Sequence, residues 1–116
     1  MSEQQITVMP RRDEIDIRLP VACSLTEQDL AQRAAESGRE LFAFAAQTEE
    51  LGDGYTWRFS GDGDWHARLL EFVTAERRCC RFFQIELVFA PGLGPISLSL
   101  RGPEGTKAFL RQTFGV

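Results

Sequence analysis

The run from Phe83 to Leu100 constrains the fold of this chain more than any other stretch. Phe83, Ile85, Leu87 and Phe89 alternate with Gln84, Glu86 and Val88; the segment Pro91-Gly92-Leu93-Gly94-Pro95 breaks the pattern; Ile96, Leu98 and Leu100 then alternate with Ser97 and Ser99. A two-residue period sends alternate side chains to opposite faces of a strand, and a break rich in glycine and proline between two such runs is a turn, so the spacing predicts a β-hairpin. One face of that hairpin is apolar and must be covered, while the other can meet water. An antiparallel sheet with helices on one side satisfies both demands.

The rest of the chain supplies the layers. Ile15, Ile17 and Leu19 alternate, and Val21 and Cys23 continue in phase past Pro20, which predicts a first strand near an edge with Cys23 facing inward. Ser24-Leu25-Thr26-Glu27 has capping-box spacing, and Leu30, Ala34, Ser37, Leu41, Phe44 and Ala45 recur at helical intervals, so a helix is expected over about 26–47, weakened locally by Gly38. Gly52-Asp53-Gly54 reads as a turn and Tyr55, Trp57 and Phe59 as the next strand. A second helix is expected over about 64–80, capped by Asp62 or Asp64. Gly102-Pro103-Glu104-Gly105 opens a short last helix with proline in its first turn, containing Phe109, Leu110 and Phe114. The expected fold class is therefore α+β in the order β-α-β-α-β-β-α, with one mainly antiparallel four-stranded sheet backed by helices on one face. Residues 1–13 read as a polar leader and 14–116 as a single domain.

Composition narrows the function classes. With 116 residues, 43% hydrophobic and nine phenylalanines, one core fits without staples. A net charge of −4 argues against nucleic-acid binding, which needs a basic face, and Arg77, Arg78 and Arg81 form too small a cluster to reverse that. No apolar run reaches the ~20 residues of a membrane span, and no export signal precedes the domain, so a cytoplasmic location is expected. Three cysteines, an odd number, fit reduced thiols better than a disulfide framework.

The chemistry concentrates in Ala75-Glu76-Arg77-Arg78-Cys79-Cys80-Arg81-Phe82-Phe83. At roughly 100° per residue from Trp65, the stripe Trp65, Leu69, Phe72, Val73 and Phe83 spans about −20° to +80°; Cys79 and Cys80 fall near −40° and +60°, and Glu76 near +20°. A carboxylate in the middle of a core-facing stripe is costly to bury without a partner, and this one stands three and four residues before two thiols. Soft ions such as Hg(II), Cu(I) and As(III) favour thiolates, and Cys79, Cys80 and Cys23 supply three if the first strand meets the end of the second helix. Glu76 is the candidate fourth ligand, or the base that accepts a thiol proton. His66 lies about 20 Å up a continuous helix from Cys79 and is excluded.

Val21-Ala22-Cys23-Ser24-Leu25-Thr26 with Asp29-Leu30 and Arg33, followed by Ala75-Glu76, Cys79-Cys80 and Phe82-Phe83 and a closing helix ending Phe114-Gly115, resembles the cysteine-containing C-terminal extension of actinobacterial MerR-type regulators and related stand-alone small bacterial proteins. The likeness covers about residues 15–115. It implies a metal- or thiol-responsive module. The helix-turn-helix and coiled coil of those regulators are absent from the sequence, so DNA binding does not carry over.

The expected function is thus a thiol-based binding module for a soft metal or metalloid ion, with no organic cofactor, no nucleic-acid partner and no membrane partner. The alternative is a structural protein that forms a homodimer through its sheet, with the cysteines as core filler and Glu76 paired to an arginine. A thiol redox enzyme comes third: adjacent α-carbons only 3.8 Å apart make a Cys79–Cys80 bond strained, whereas Cys23 can reach either thiol with less constraint. Gly102-Pro103-Glu104-Gly105-Thr106-Lys107 lacks P-loop spacing and reads as a capped turn, and His66 beside Asp62 or Asp64 has no nucleophilic serine and reads as a surface polar residue in a helix's first turn.

Overall fold

The computed structural model describes residues 19–22 and 28–116. Its elements follow the order α1 (Gln28–Ala43), β1 (Gln47–Glu50), β2 (Gly54–Phe59), α2 (Trp65–Cys79), β3 (Gln84–Phe89), β4 (Ile96–Arg101) and α3 (Thr106–Phe114). The four strands form one antiparallel sheet in the order β1-β2-β4-β3. The α+β class and the antiparallel four-stranded sheet are as the sequence led us to expect.

Register explains which face is covered. Tyr55, Trp57 and Phe59 stand opposite Leu100, Leu98 and Ile96, and these in turn stand opposite Ile85, Leu87 and Phe89, so the apolar residues of three strands share one face. The helices pack there: Trp57, Leu69, Leu98, Leu100 and Leu110 are completely buried in one core with Leu41, Phe42, Phe72 and Phe114. Phe42 stacks on Trp57 with ring centroids 4.1 Å apart and meets Phe72 and Phe114 edge-on, an arrangement that aromatic quadrupoles favour. The opposite face carries Thr56 and Ser99, whose hydroxyls share a 2.7 Å hydrogen bond, and Arg101, which pairs with Asp53 and Glu86.

Three expectations change. The strand expected from Ile15 to Cys23 lies largely outside the described residues, and Leu19–Ala22, the part that is described, is bend and coil. The sheet's fourth strand is instead β1, which begins where the first helix was expected to end and runs up to the Gly52-Asp53-Gly54 turn, a stretch for which the sequence predicts no element. All four β1 residues are exposed, so no apolar alternation marks them; they are held by the ladder to β2 and by Glu50, which binds Lys107 at 2.9 Å and Arg111 at 3.2 Å. The first helix accordingly stops at Ala43, its last turn tightening through Phe44 N–H to Leu41 and Ala45 N–H to Phe42. Pro103, expected in the first turn of the last helix, precedes it: α3 starts at Thr106, whose hydroxyl and amide both donate to the Pro103 carbonyl, and left-handed Gly105 occupies the N-cap position. Asp64 does stand at the N-cap of α2, without a side-chain capping bond.

Gly38, which weakens the helix by propensity alone, has a packing role. A Cβ there would sit 2.2 Å from the Phe114 ring, so the missing side chain is what lets α1 lie against α3, where Arg39 Nε also donates to the Thr113 carbonyl at 2.8 Å. Gly38→Ala is therefore expected to destabilise by about 1–3 kcal/mol, although alanine is the better helix former. Urea unfolding checks this; a stabilised variant would mean the two helices can separate at no cost.

Candidate functional site

Helix α2 delivers Glu76 and Cys79 to one side, and the way it ends delivers Cys80 to the same side. Cys80 leaves helical geometry at φ −121°, ψ 78°, while its amide still donates to the Glu76 carbonyl at 2.7 Å. In a continuous helix the two thiols would diverge by about 100°. Here both are buried, with their sulfurs 3.6 Å apart. Phe82 is buried beside them, and Leu19, Val21, Phe83 and Phe109 complete an apolar wall. Arg77, Arg78 and Arg81 remain exposed, the first two in the last turn of α2 where cations favour the carbonyl end of the helix dipole.

Glu76 is only 2% exposed. One ligand atom from each of Glu76, Cys79 and Cys80 lies within 4.8 Å of the other two. Among the described residues no cation pairs with the carboxylate, and its Oε2 has no hydrogen-bond partner. Burial pushes the Glu76 pKa up from 4.5 to about 7, offset in part by a hydrogen bond from the Cys80 thiol. Burial also drives the Cys80 thiol well above the ordinary cysteine range, and the neighbouring Glu76 carboxylate adds to that by charge and by hydrogen bonding. The two groups therefore share a site that resists negative charge.

Oxidation state corrects one expectation. Cys79 is disulfide-bonded and Cys80 is a free thiol, where the sequence led us to expect reduced thiols. Cys23, the third expected ligand, lies outside the described residues, as does the capping box that follows it. Of the sequence-predicted site residues, the structure brings together Glu76, Cys79 and Cys80; His66 is not among them.

Sequence reasoning missed a cleft that reaches Glu76 from outside. It lies between α1 and α2, has a volume of about 340 Å³, and is lined by Ser37, Glu40, Leu41, Arg68, Glu71, Phe72, Ala75 and Glu76. Helical periodicity gives the face of each helix but not which faces meet, so nothing in the sequence placed Glu40 near Glu76.

No protein-family model matches the chain, and neither does any curated protein or solved structure. Among the described residues no helix is long and apolar enough to cross a membrane.

Proposed function

We propose that this protein is a small cytoplasmic binding module for a soft metal or metalloid ion, held by the thiolates of Cys79 and Cys80 with the Glu76 carboxylate beside them. The observation that carries this reading is the buried Glu76–Cys79–Cys80 group, its donor atoms within 4.8 Å of one another and its carboxylate without a cationic partner among the described residues. A structural role for Glu76 would call for an arginine or lysine against it, because leaving a carboxylate buried and unpaired costs several kcal/mol, about the scale on which whole domains are stable. A cation supplies the missing partner, and two adjacent sulfurs make the site suit Hg(II), Cu(I) or As(III) better than a hard ion. Cys23, the remaining cysteine of the chain, is the candidate third thiolate and equally the candidate disulfide partner of Cys79. Ion binding therefore belongs to the reduced protein: a dithiol reductant delivers two electrons and two protons to the Cys79 disulfide, and ion capture then displaces thiol protons.

The test is mass spectrometry of the reduced protein with Hg(II), Cu(I), As(III) and Zn(II) against the Cys79→Ser, Cys80→Ser double variant. Stoichiometric uptake of a soft ion by the native chain and loss of it in the variant is the expected result; equal uptake by both removes the metal reading.

A thiol redox role is the second reading, supported by a free thiol 3.6 Å from a bridged sulfur. Attack by Cys80 would form a Cys79–Cys80 bond and release the partner sulfur as a thiolate. Two features oppose it: the α-carbons of neighbours, about 3.8 Å apart, are closer than a relaxed disulfide allows, and burial keeps Cys80 protonated.

A further inference from the structure

The cleft between α1 and α2 has the elements of a recognition site of its own. Its walls are Leu41, Phe72 and Ala75, and its buried residue is Glu76, which carries an oxygen with no hydrogen-bond partner among the described residues. Two carboxylates, Glu40 and Glu71, stand exposed along it, and among the described residues neither is in an ion pair. Among the described residues the cation in the lining is Arg68, and its guanidinium is placed over the Trp65 ring at 4.4 Å and near Phe44 at 5.9 Å. Among the described residues, three carboxylates thus face the cleft and its one guanidinium is stacked on aromatic rings. Glu40 and Glu71 are exposed while Glu76 is buried, and the Cys79 and Cys80 sulfurs lie within 4.8 Å of the Glu76 carboxylate.

We propose that this cleft is the entrance and outer recognition site for small cations, with Glu40 and Glu71 drawing the cation in and Glu76 passing it to the thiols. The inference deepens the metal-binding reading and rests on it for the identity of the cargo, but the route itself is open to a probe that is not a metal. Apolar walls with carboxylates at the mouth and the inner end exclude anions by charge and strongly hydrated ions by the cost of shedding water. A soft cation, weakly hydrated or carrying an organic substituent, fits that combination.

The experiment measures how fast the free Cys80 thiol of the unreduced, full-length protein reacts with two methanethiosulfonates, one carrying a trimethylammonium group and one a sulfonate. In each reaction the Cys80 sulfur forms a disulfide with the reagent's sulfenyl sulfur, methanesulfinate leaves, and the thiol proton goes to buffer. At low salt the cationic reagent is expected to react about tenfold faster relative to the anionic one than the two do with a small free thiol, and added salt should shrink that ratio. Glu40→Gln with Glu71→Gln should abolish the preference, both changes being on the surface. Ala75→Trp should slow both reagents at least about tenfold by filling the cleft. Equal normalised rates for the two charges, or a preference that survives the double glutamine variant, would overturn the proposal even if Ala75→Trp failed to fold. Charge-selective Cys80 labelling in a protein whose reduced form takes up none of the soft ions would instead retain the cation entrance and remove the metal cargo.

Discussion

Glu76→Gln should make the protein more stable above neutral pH and slightly less stable in acid. In the unfolded chain this carboxyl titrates near 4.5, and in the fold burial holds it protonated until about pH 7. Below pH 4.5 both states carry the proton and Glu76 costs nothing through titration. Between the two values the folded state holds a proton that the unfolded state has lost, so stability falls as pH rises, by about 1.4 kcal/mol per unit for this group. Above pH 7 the full penalty stands, on the order of 3 kcal/mol. Glutamine keeps the shape and removes the charge, so urea unfolding at pH 8 should show a gain of a few kcal/mol that fades towards pH 4. The amide also needs partners that Oε2 lacks, which trims the gain by about 1 kcal/mol. A loss of stability at pH 8 would mean that a cation compensates the carboxylate. The same variant should capture soft ions more weakly, so the residue that burdens the fold is the one the site uses.

How much of this was legible beforehand differs between elements for physical reasons. The β3–β4 hairpin and β2 announce themselves because they are half-buried, and half-burial imposes alternation. β1 does not: Gln47–Glu50 is exposed on both faces, and its pairing comes from the β2 ladder and from Glu50 reaching Lys107 and Arg111 on α3, more than fifty residues away. Gly38 looked like a local defect because propensity sees only one helix, whereas its reason is Phe114 on another. At the site, the angular position of Glu76 on α2 identified a buried carboxylate beside two thiols, and its burial agrees with that position. That Cys80 leaves the helix and folds its thiol back toward Cys79 was not legible, because an ideal helix separates neighbours. Nor was the cleft, which exists only where α1 and α2 meet.

The two cysteines should separate cleanly when substituted one at a time. Without reductant, Cys79→Ser removes a disulfide and should cost about 2–4 kcal/mol, which in a domain of this size lowers the melting temperature by roughly 10 °C or more. Cys80→Ser removes no bridge and places a hydroxyl where a thiol was buried, for about 1–2 kcal/mol. With reductant the bridge is gone from the native chain too, so the deficit of Cys79→Ser should contract towards that of Cys80→Ser. Thermal melts of the three proteins in both conditions measure this, and a Cys79→Ser deficit that ignores reductant would mean the bridge contributes nothing to the fold. Soft-ion uptake follows the opposite logic: in reducing buffer each single variant leaves one sulfur of the adjacent pair, so both should lose tight binding to a similar degree. Stability that depends on redox state for one cysteine alone, with uptake that depends on both, is the signature of a thiol pair in which the bridged sulfur stabilises the fold and both sulfurs serve the ligand.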